Sequence, residues 1–460
     1  MSLETTTKFA KPRRSLRRIF GALLAGAVLV ALAIGLLWIF GREPPSSKGD
    51  LVGAGVQLPS PSRSLVPTVN FSRAQPWPAG KQPIAPDGFR VTAFATGLDH
   101  PRWLYVLPNG DVLVAEASTV PRRDRSIAQA VQIWLQRDAG SIKDSANRIT
   151  LLRDGRKPGT AAERFVFASN LNQPFGMVLL GDRFYVANTD GVWRFPYHDG
   201  DIKLEGPGEK ILDLPAGGYN NHWTRNLIAD RTGTKLYVTV GSGSNVGENG
   251  IDNEFHRANI LQFNPDGSGL RVFASGLRNP NGLAFAPGTN TLWTVVNERD
   301  MLGNDLVPDY LTSVKDGGFY GWPYSYWGKN VDERVKPQRP DLVASAITPD
   351  YALGAHVAAL GLTFNTGDAF PDHFRDGAFI GEHGSWNRRP FTGYKVVFVP
   401  FRDGLPSGKP EDFITGFMPV DQPGVAYGRP VGVAVDTTGA LLIADDVGNI
   451  VWRVRAERRN

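Results

Sequence analysis

Cysteine is absent from the 460 residues. That absence excludes disulfides, thiolate metal sites, iron–sulfur clusters and a haem attached through C-x-x-C-H. Other chemistries lack their spacing. The seven histidines include no H-x-x-x-H or H-E-x-x-H pair, so no zinc hydrolase site is spelled out. Ser242 in Gly241-Ser242-Gly243-Ser244 is not a nucleophile elbow, and no G-x-G-x-x-G opens a helical pattern.

The bulk of the chain also lacks net charge. Lys8, Lys11, Arg13, Arg14, Arg17 and Arg18 set against Glu4 account for the whole formal charge of +5. Residues 19–40 carry no charge, and the remaining 420 balance. Nucleic-acid binders concentrate basic residues on a folded face, so no nucleic-acid partner is expected.

What is present is turn-forming and aromatic: 52 Gly, 34 Pro, 25 Phe and 11 Trp. Such a composition fits an all-β fold with many hairpins. One long apolar run stands out, IFGALLAGAVLVALAIGLLWIF at 19–40. A helix of that length crosses a hydrocarbon core of about 30 Å. The basic residues before it (1–18) predict a cytoplasmic tail, with everything after the run outside, periplasmic or extracytoplasmic. Trp38 suits the far interface. A cleaved signal peptide is the rival reading, although its apolar region is normally about 7–15 residues. Residues 41–86, rich in Pro, Ser and Gly, read as a linker.

A phrase then recurs: a small residue and Leu, two polar residues, Pro, an apolar run, a turn and a second apolar run. It opens at Gly97-Leu98-Asp99-His100-Pro101, Asn170-Leu171-Asn172-Gln173-Pro174, Gly276-Leu277-Arg278-Asn279-Pro280 and Tyr427-Gly428-Arg429-Pro430. A variant opens at Asn221-His222-Trp223-Thr224-Arg225-Asn226, and a weaker copy runs through 360–383. Each copy pairs two alternating strands across a turn. Six such units over 87–455 predict a six-bladed β-propeller, a radial arrangement that leaves only short protected edges. A sandwich or double jelly roll is the other all-β solution. Units of this length exceed simple blades, so insertions are expected at 118–148, where SIAQAVQIWLQRDA has helical spacing, and at 301–351.

Three phrases, Gly276-Leu277-Arg278-Asn279-Pro280-Asn281-Gly282-Leu283-Ala284-Phe285, Asp316-Gly317-Gly318-Phe319-Tyr320-Gly321-Trp322-Pro323 and Gly381-Glu382-His383-Gly384-Ser385-Trp386-Asn387-Arg388, carry a resemblance. In order and spacing the chain resembles the soluble PQQ-dependent sugar dehydrogenases, especially their sorbosone-dehydrogenase-like relatives. The resemblance implies a six-bladed propeller with PQQ over its axis, a Ca²⁺ touching the cofactor and a histidine base. The position matching the base is His222. The PQQ-contacting pair falls on Arg278 and Asn279, and a later arginine on Arg429. Gln173 is a loose counterpart of a cofactor-facing glutamine. The calcium-binding carbonyls would come from Arg299 and Asp300. No lysine matches the family's cofactor-binding lysine, and Asn221 stands where an acidic residue is common.

PQQ is a tricarboxylated quinone. Arginines form paired bonds to carboxylates that lysine cannot reproduce, and Trp386 is placed to stack on the ring or on an arginine. Oxidising an alcohol moves a proton and a hydride. A histidine suits the proton, with His383 the second candidate after His222, and the cofactor takes the hydride. The expectation is therefore an exported quinoprotein oxidising a sugar, polyol or sugar aldehyde. An external electron acceptor, a membrane quinone or a cytochrome, would complete the reaction. A metal-dependent lactonase-like hydrolase and a non-catalytic propeller that binds glycans or proteins remain open alternatives.

Overall fold

The computed structural model describes residues 51–457 apart from 63, 65–67, 121–126 and 156–158, together with scattered positions between 19 and 46. Six four-stranded antiparallel arrays follow one another along the chain, the blades of an all-β propeller. Blade 1 is Pro101–Val106, Val112–Glu116, Arg148–Asp154 and Ala161–Ala168. Blade 2 is Met177–Leu180, Arg183–Asn188, Gly191–Pro196 and Glu209–Asp213. Blade 3 is Leu227–Ala229, Leu236–Val240, Asn259–Phe263 and Arg271–Ser275. Blade 4 is Asn279–Phe285, Leu292–Asn297, Pro308–Ser313 and Tyr351–Ala355. Blade 5 is Ala359–Phe364, Gly377–Glu382, Lys395–Arg402 and Glu411–Ile414. Blade 6 takes Pro430–Val435, Leu441–Asp445 and Ile450–Ala456 from the end of the chain, and Phe89–Ala95 from its beginning. Phe89 pairs with Ala456 and Val91 with Val454, so backbone hydrogen bonds between distant parts of the chain close the ring.

The recurring phrase has a physical explanation. Pro101 and Pro430 open the innermost strand of a blade and Pro280 stands second in its own, at the strand entrance where a missing N–H is tolerated. The register then slips one or two residues later, between Pro101 and Trp103, Pro280 and Leu283, and Pro430 and Val433. Such bulges bend a strand and re-aim its neighbours. A glycine follows because inner strands crowd the axis. A Cβ on Gly361 would lie 2.1 Å from the Val431 carbonyl oxygen, and one on Gly282 2.6 Å from Leu362 Cβ.

Each inner strand starts level with the end of its blade's second strand, as in Pro101 opposite Glu116 and Asn279 opposite Asn297. The second-to-third connections 117–147, 241–258, 298–307, 383–394 and 446–449 therefore all emerge at one end of the propeller, the mouth. The helix expected in the first insertion is present as Ile127–Asp138. The insertion after blade 4's third strand climbs the seam between blades 3 and 4. Gly318–Phe319 pairs in parallel with Ala274 and Ser275, and Trp322 N donates to Gly276 O at 3.0 Å. That contact is why Gly276-Leu277-Arg278-Asn279-Pro280 and Gly318-Phe319-Tyr320-Gly321-Trp322-Pro323 occur together.

The reading of 41–86 as a linker is corrected for its described part. Val52 pairs with Leu353 in blade 4, Arg73–Ala74 runs parallel to Val425–Ala426, and Ile84 bridges Thr415. The reason is apolar content within the Pro/Ser background. Val56 and Leu58 pack on one core cluster and Trp77 on another. The run 19–40 falls largely outside the described residues. Its described positions between 19 and 35 are helical, and among the described residues no helix is long and apolar enough to cross a membrane.

Candidate active site

Two clusters of buried polar side chains occupy the mouth. The first joins blades 3 and 4. His222 sits on the connection entering blade 3, and its Nδ1 lies 2.8 Å from the Ser242 carbonyl oxygen and 3.0 Å from Ser242 Oγ. A carbonyl can only accept, so Nδ1 carries the proton, and the neutral ring presents a lone pair at Nε2. Burial, followed by the neighbouring positive charge of Arg278, pushes His222 down to about 3. The loop is clamped by Arg225, fully buried, whose guanidinium donates to His222 O at 2.7 Å, Thr224 O at 2.9 Å and Pro215 O at 2.7 Å.

Gly241 makes the approach of His222 to blade 4 possible. A Cβ there would stand 2.5 Å from both His222 Cβ and Asn279 Oδ1. Asn279 Oδ1 is buried without a hydrogen-bond partner. Arg278 donates to Glu298 O at 2.6 Å, to Asn245 Oδ1 at 2.9 Å and to Asp300 Oδ2 at 2.8 Å. Burial alone would raise Asp300, but Arg278 and then His356 overrule it and hold the carboxyl well below its usual range. Behind it, desolvation pushes Glu298 up to about 8 and Asp309 up to about 6.

The second cluster joins blades 5, 6 and 1. His383 Nε2 faces Asp446 at 2.9 Å, Arg102 reaches the same carboxylate at 2.5 Å, and His100 Nε2 lies 3.4 Å away. Asp446 is fully buried. Burial opposes its ionisation, yet the facing His383, His100 and Arg102 hold it far below the carboxylate range. Burial and then Arg429 press His383 down to about 3, and burial takes His100 to about 4. The consistent state is an ionised Asp446 neutralised by Arg102, with both imidazoles neutral. Arg429 differs from Arg278 and Arg102. It is 3% exposed, and its guanidinium donates to His383 O at 2.8 Å, Gly384 O at 2.6 Å and Ser141 Oγ at 3.0 Å, with no carboxylate partner among the described residues. Two residues beyond Ser141, Lys143 Nζ donates only to the neutral Asn449 Oδ1, at 3.1 Å. A buried cation without a counter-ion is costly, so this corner suits an anionic ligand. The two clusters meet across the mouth, where Arg102 lies over the Trp223 ring at 5.5 Å and Asn387 donates to Asp300 Oδ1 at 2.8 Å.

His222, Arg278, Asn279, His383 and Arg429 thus stand at one end of the propeller. Gln173 lies at the same end, where its amide donates to Ser118 O at 2.8 Å in the blade 1 insertion. Trp386 has one face covered, stacked on Phe71 at 5.5 Å. At Arg299 and Asp300, whose carbonyls were expected to bind calcium, the structure places protein donors. The Asp300 carbonyl already accepts from Asn245 Nδ2 at 3.2 Å and Arg334 at 3.4 Å, and the Arg299 side chain is buried against Asp332 at 3.0 Å. Guanidinium and amide donors take the positions a divalent ion needs as bare oxygens. Among the described residues no group of three or more His, Asp or Glu gathers as a metal site. A tricarboxylate with hydrogen-bonding ring atoms, by contrast, fits the unpaired Arg429 and Lys143 and the orphaned Asn279 Oδ1. Sequence reasoning missed Asp446, Arg102, His100, Arg225, Asn245 and Lys143. The signal for Arg102 was its place in His100-Pro101-Arg102, the first copy of the phrase that elsewhere yields Arg278 and Arg429.

Comparison with known proteins agrees with this geometry. An uncharacterized protein of Borreliella burgdorferi is 29% identical over 304 residues, 64% of this chain and 78% of that protein. The pyrroloquinoline quinone-dependent pyranose dehydrogenase of Coprinopsis cinerea is 24% identical over 360 residues, 68% of this chain and 44% of that enzyme. The holo form of its PQQ domain superposes with a TM-score of 0.65 at 20% identity, covering 84% of this chain and all of that domain. A calcium structure of the Trichoderma reesei family AA12 enzyme gives a TM-score of 0.63 at 18% identity, covering 81% and 97%. The relatives of known activity are PQQ-dependent sugar dehydrogenases. The TrAA12-like family model matches residues 83–310 and 339–457, and this chain belongs to that family.

Proposed function

We propose that the chain is a PQQ-dependent dehydrogenase that oxidises a hydroxyl or aldehyde-hydrate carbon of a sugar or polyol, sorbosone and glucose being the model substrates. The observation that carries the reading is His222, with its proton fixed on Nδ1 by Ser242, its lone pair left on Nε2 and the positive charge of Arg278 close enough to act on the ring. The relatives' names support PQQ as the cofactor.

When bound, PQQ supplies a two-electron oxidant. Arg429 and Lys143 would hold its carboxylates at the blade 6 side, where they have no carboxylate partner among the described residues. His222 Nε2 would take the hydroxyl proton, the bound quinone being the acceptor for the two electrons that the carbon loses. Ser242 orients the ring and Arg225 fixes the loop. Arg278, anchored by Asp300, presents fixed positive charge to an oxygen that gains electrons. Calcium has no role in this scheme at Arg299 and Asp300. The reading includes a single-pass anchor at 19–40, with the propeller outside and electrons passing to a membrane quinone or a cytochrome.

The test is to load the full chain with PQQ, follow its absorbance, and assay dye-linked oxidation of a panel of aldoses, polyols and sugar aldehydes. Saturable PQQ binding with turnover of at least one panel member is expected. Absence of both would leave a non-catalytic, ligand-binding propeller as the better account.

A further inference from the structure

The chain enters the propeller at its mouth. Glu43 Oε2 accepts the Asn304 N–H at 2.9 Å, Ser46 Oγ donates to Asp305 Oδ1 at 2.5 Å, and Ser46 N donates to Arg389 O at 2.8 Å. Residues 304 and 305 lie in blade 4's mouth connection and 389 in blade 5's. Phe40, the last residue of the apolar run, precedes Glu43 by three residues, which span at most about 11 Å. Chain reach therefore keeps the end of the run within about that distance of the rim of the site.

The rim carries exposed aromatic surface. Beyond residue 43, the described Phe, Tyr and Trp side chains that are exposed are Trp134 at 64%, Tyr219 at 48% and Phe255 at 73%. All three belong to mouth connections. Trp134 is joined by Val131, 50% exposed and three residues earlier on the same helix face. Met301, 56% exposed, adds apolar surface on the blade 4 connection. Trp and Tyr settle at the membrane–water interface, where an apolar ring with a polar edge is half-wetted.

We infer that the mouth face docks on the lipid bilayer that holds residues 19–40, resting Trp134, Tyr219 and Phe255 in its headgroup layer. This rests on the anchor reading of the proposed function and deepens it. A quinone dissolved in the bilayer would then meet the cofactor site directly, and a soluble acceptor would have to enter from the side.

The absence of cysteine makes the test direct, because a single introduced thiol is labelled uniquely. The full chain with Trp134→Cys or Phe255→Cys, and a control with Asp266→Cys in the turn 264–270 at the far end, is reconstituted in phosphatidylcholine/phosphatidylglycerol vesicles and labelled with an environment-sensitive dye. The mouth labels should shift to the blue and be quenched by lipids carrying a headgroup-depth spin label, while the Asp266→Cys label stays unshifted and unquenched. Equal behaviour of all three labels in chains that float with the vesicles overturns the docking and leaves the anchor standing. Chains that do not float overturn the anchor and the docking together. PQQ-linked sugar oxidation is scored separately, so loss of the enzymatic reading alone does not alter the label result. A Trp134→Asp/Phe255→Asp variant should lose rate with a bilayer quinone while keeping its rate with a soluble dye; equal rates with both acceptors would also overturn the docking.

Discussion

Two histidines stand at the same end of the same propeller, both pressed down to about 3, yet they are built for different work. His222 is held by a neutral carbonyl on Nδ1, and the charge beside it is cationic. His383 points Nε2 at a fully buried carboxylate shared with Arg102 and His100. The first arrangement keeps a lone pair available on a ring that shares the close approach at Gly241 with the unpartnered Asn279 Oδ1. The second consumes its histidine in a closed ionic network that locks blade 6 against blade 1. Proximity and similar acidity therefore do not imply similar roles; the partner of the inner ring nitrogen decides.

The largest effect expected from this contrast is on turnover. His222→Ala should lower dye-linked kcat by roughly 10²–10⁴-fold, the usual worth of a positioned base, and leave PQQ binding intact by absorbance titration. His383→Ala should cost well under a hundredfold on the same scale. A reversed order would transfer the proton step to the His383–Asp446 pair.

The arginines sharpen the comparison next. Arg102→Ala would strand Asp446 as a buried unpaired charge, a change that typically costs about 3–5 kcal/mol, and thermal unfolding should show it whether or not PQQ is present. Arg429→Ala removes a cation with no carboxylate partner among the described residues. Its fold stability should hardly fall, while PQQ affinity drops by about 2–5 kcal/mol, the scale for truncating one side of a buried charge contact. If Arg429→Ala instead unfolds the protein and leaves PQQ binding unchanged, the anion seat lies elsewhere.

The difference also explains what the sequence made legible. The phrase that ends in Pro marks strand starts, and its meaning is local: no N–H is needed and a bulge follows. Hence the blades and the helix in the first insertion could be read directly, and so could the placement of the phrase positions His222, Arg278 and Arg429 at one end of the propeller. The Asp446 network could not. His100 and Arg102 open blade 1 and Asp446 closes blade 6, so more than 300 residues separate partners that meet only when Phe89–Ala95 completes the ring. The contacts of Gln173 with Ser118 and of Trp386 with Phe71 were hidden for a related reason: they arise from packing of segments whose paths carry no repeat signal.

A smaller effect is expected from pH. His383 has a folded pKa near 3 against an ordinary 6.5, so the unfolded chain binds the proton first as pH falls. Its contribution to stability thus declines below about 6.5, by at most about 1.4 kcal/mol per pH unit. His383→Gln retains an amide donor for Asp446 and has nothing to titrate. The melting temperature of this variant relative to the parent should therefore rise as pH is lowered from 7.5 to 5. A constant difference across that range would mean that His383 titrates alike in the folded and unfolded chain, and a relative melting temperature that falls as pH is lowered would mean that His383 is protonated in the folded state.

The smallest expected effect separates the two clusters from a metal. Arg278 donates to the Glu298 carbonyl and the Asp300 carboxylate, while Asn245 and Arg334 cover the Asp300 carbonyl. A calcium ion would need six to eight oxygens and would meet a guanidinium in their midst. Cation stabilisation at this corner is thus already supplied by a side chain that no chelator can extract. Titrating PQQ into the protein before and after exhaustive chelation should give the same affinity within error, and added Ca²⁺ should leave the melting temperature of the unloaded protein unchanged. A tenfold loss of affinity on chelation, equivalent to about 1.4 kcal/mol, would show that Arg278 swings away from Asp300 when the cofactor enters, making the His222 side as rearrangeable as the Asp446 side is fixed.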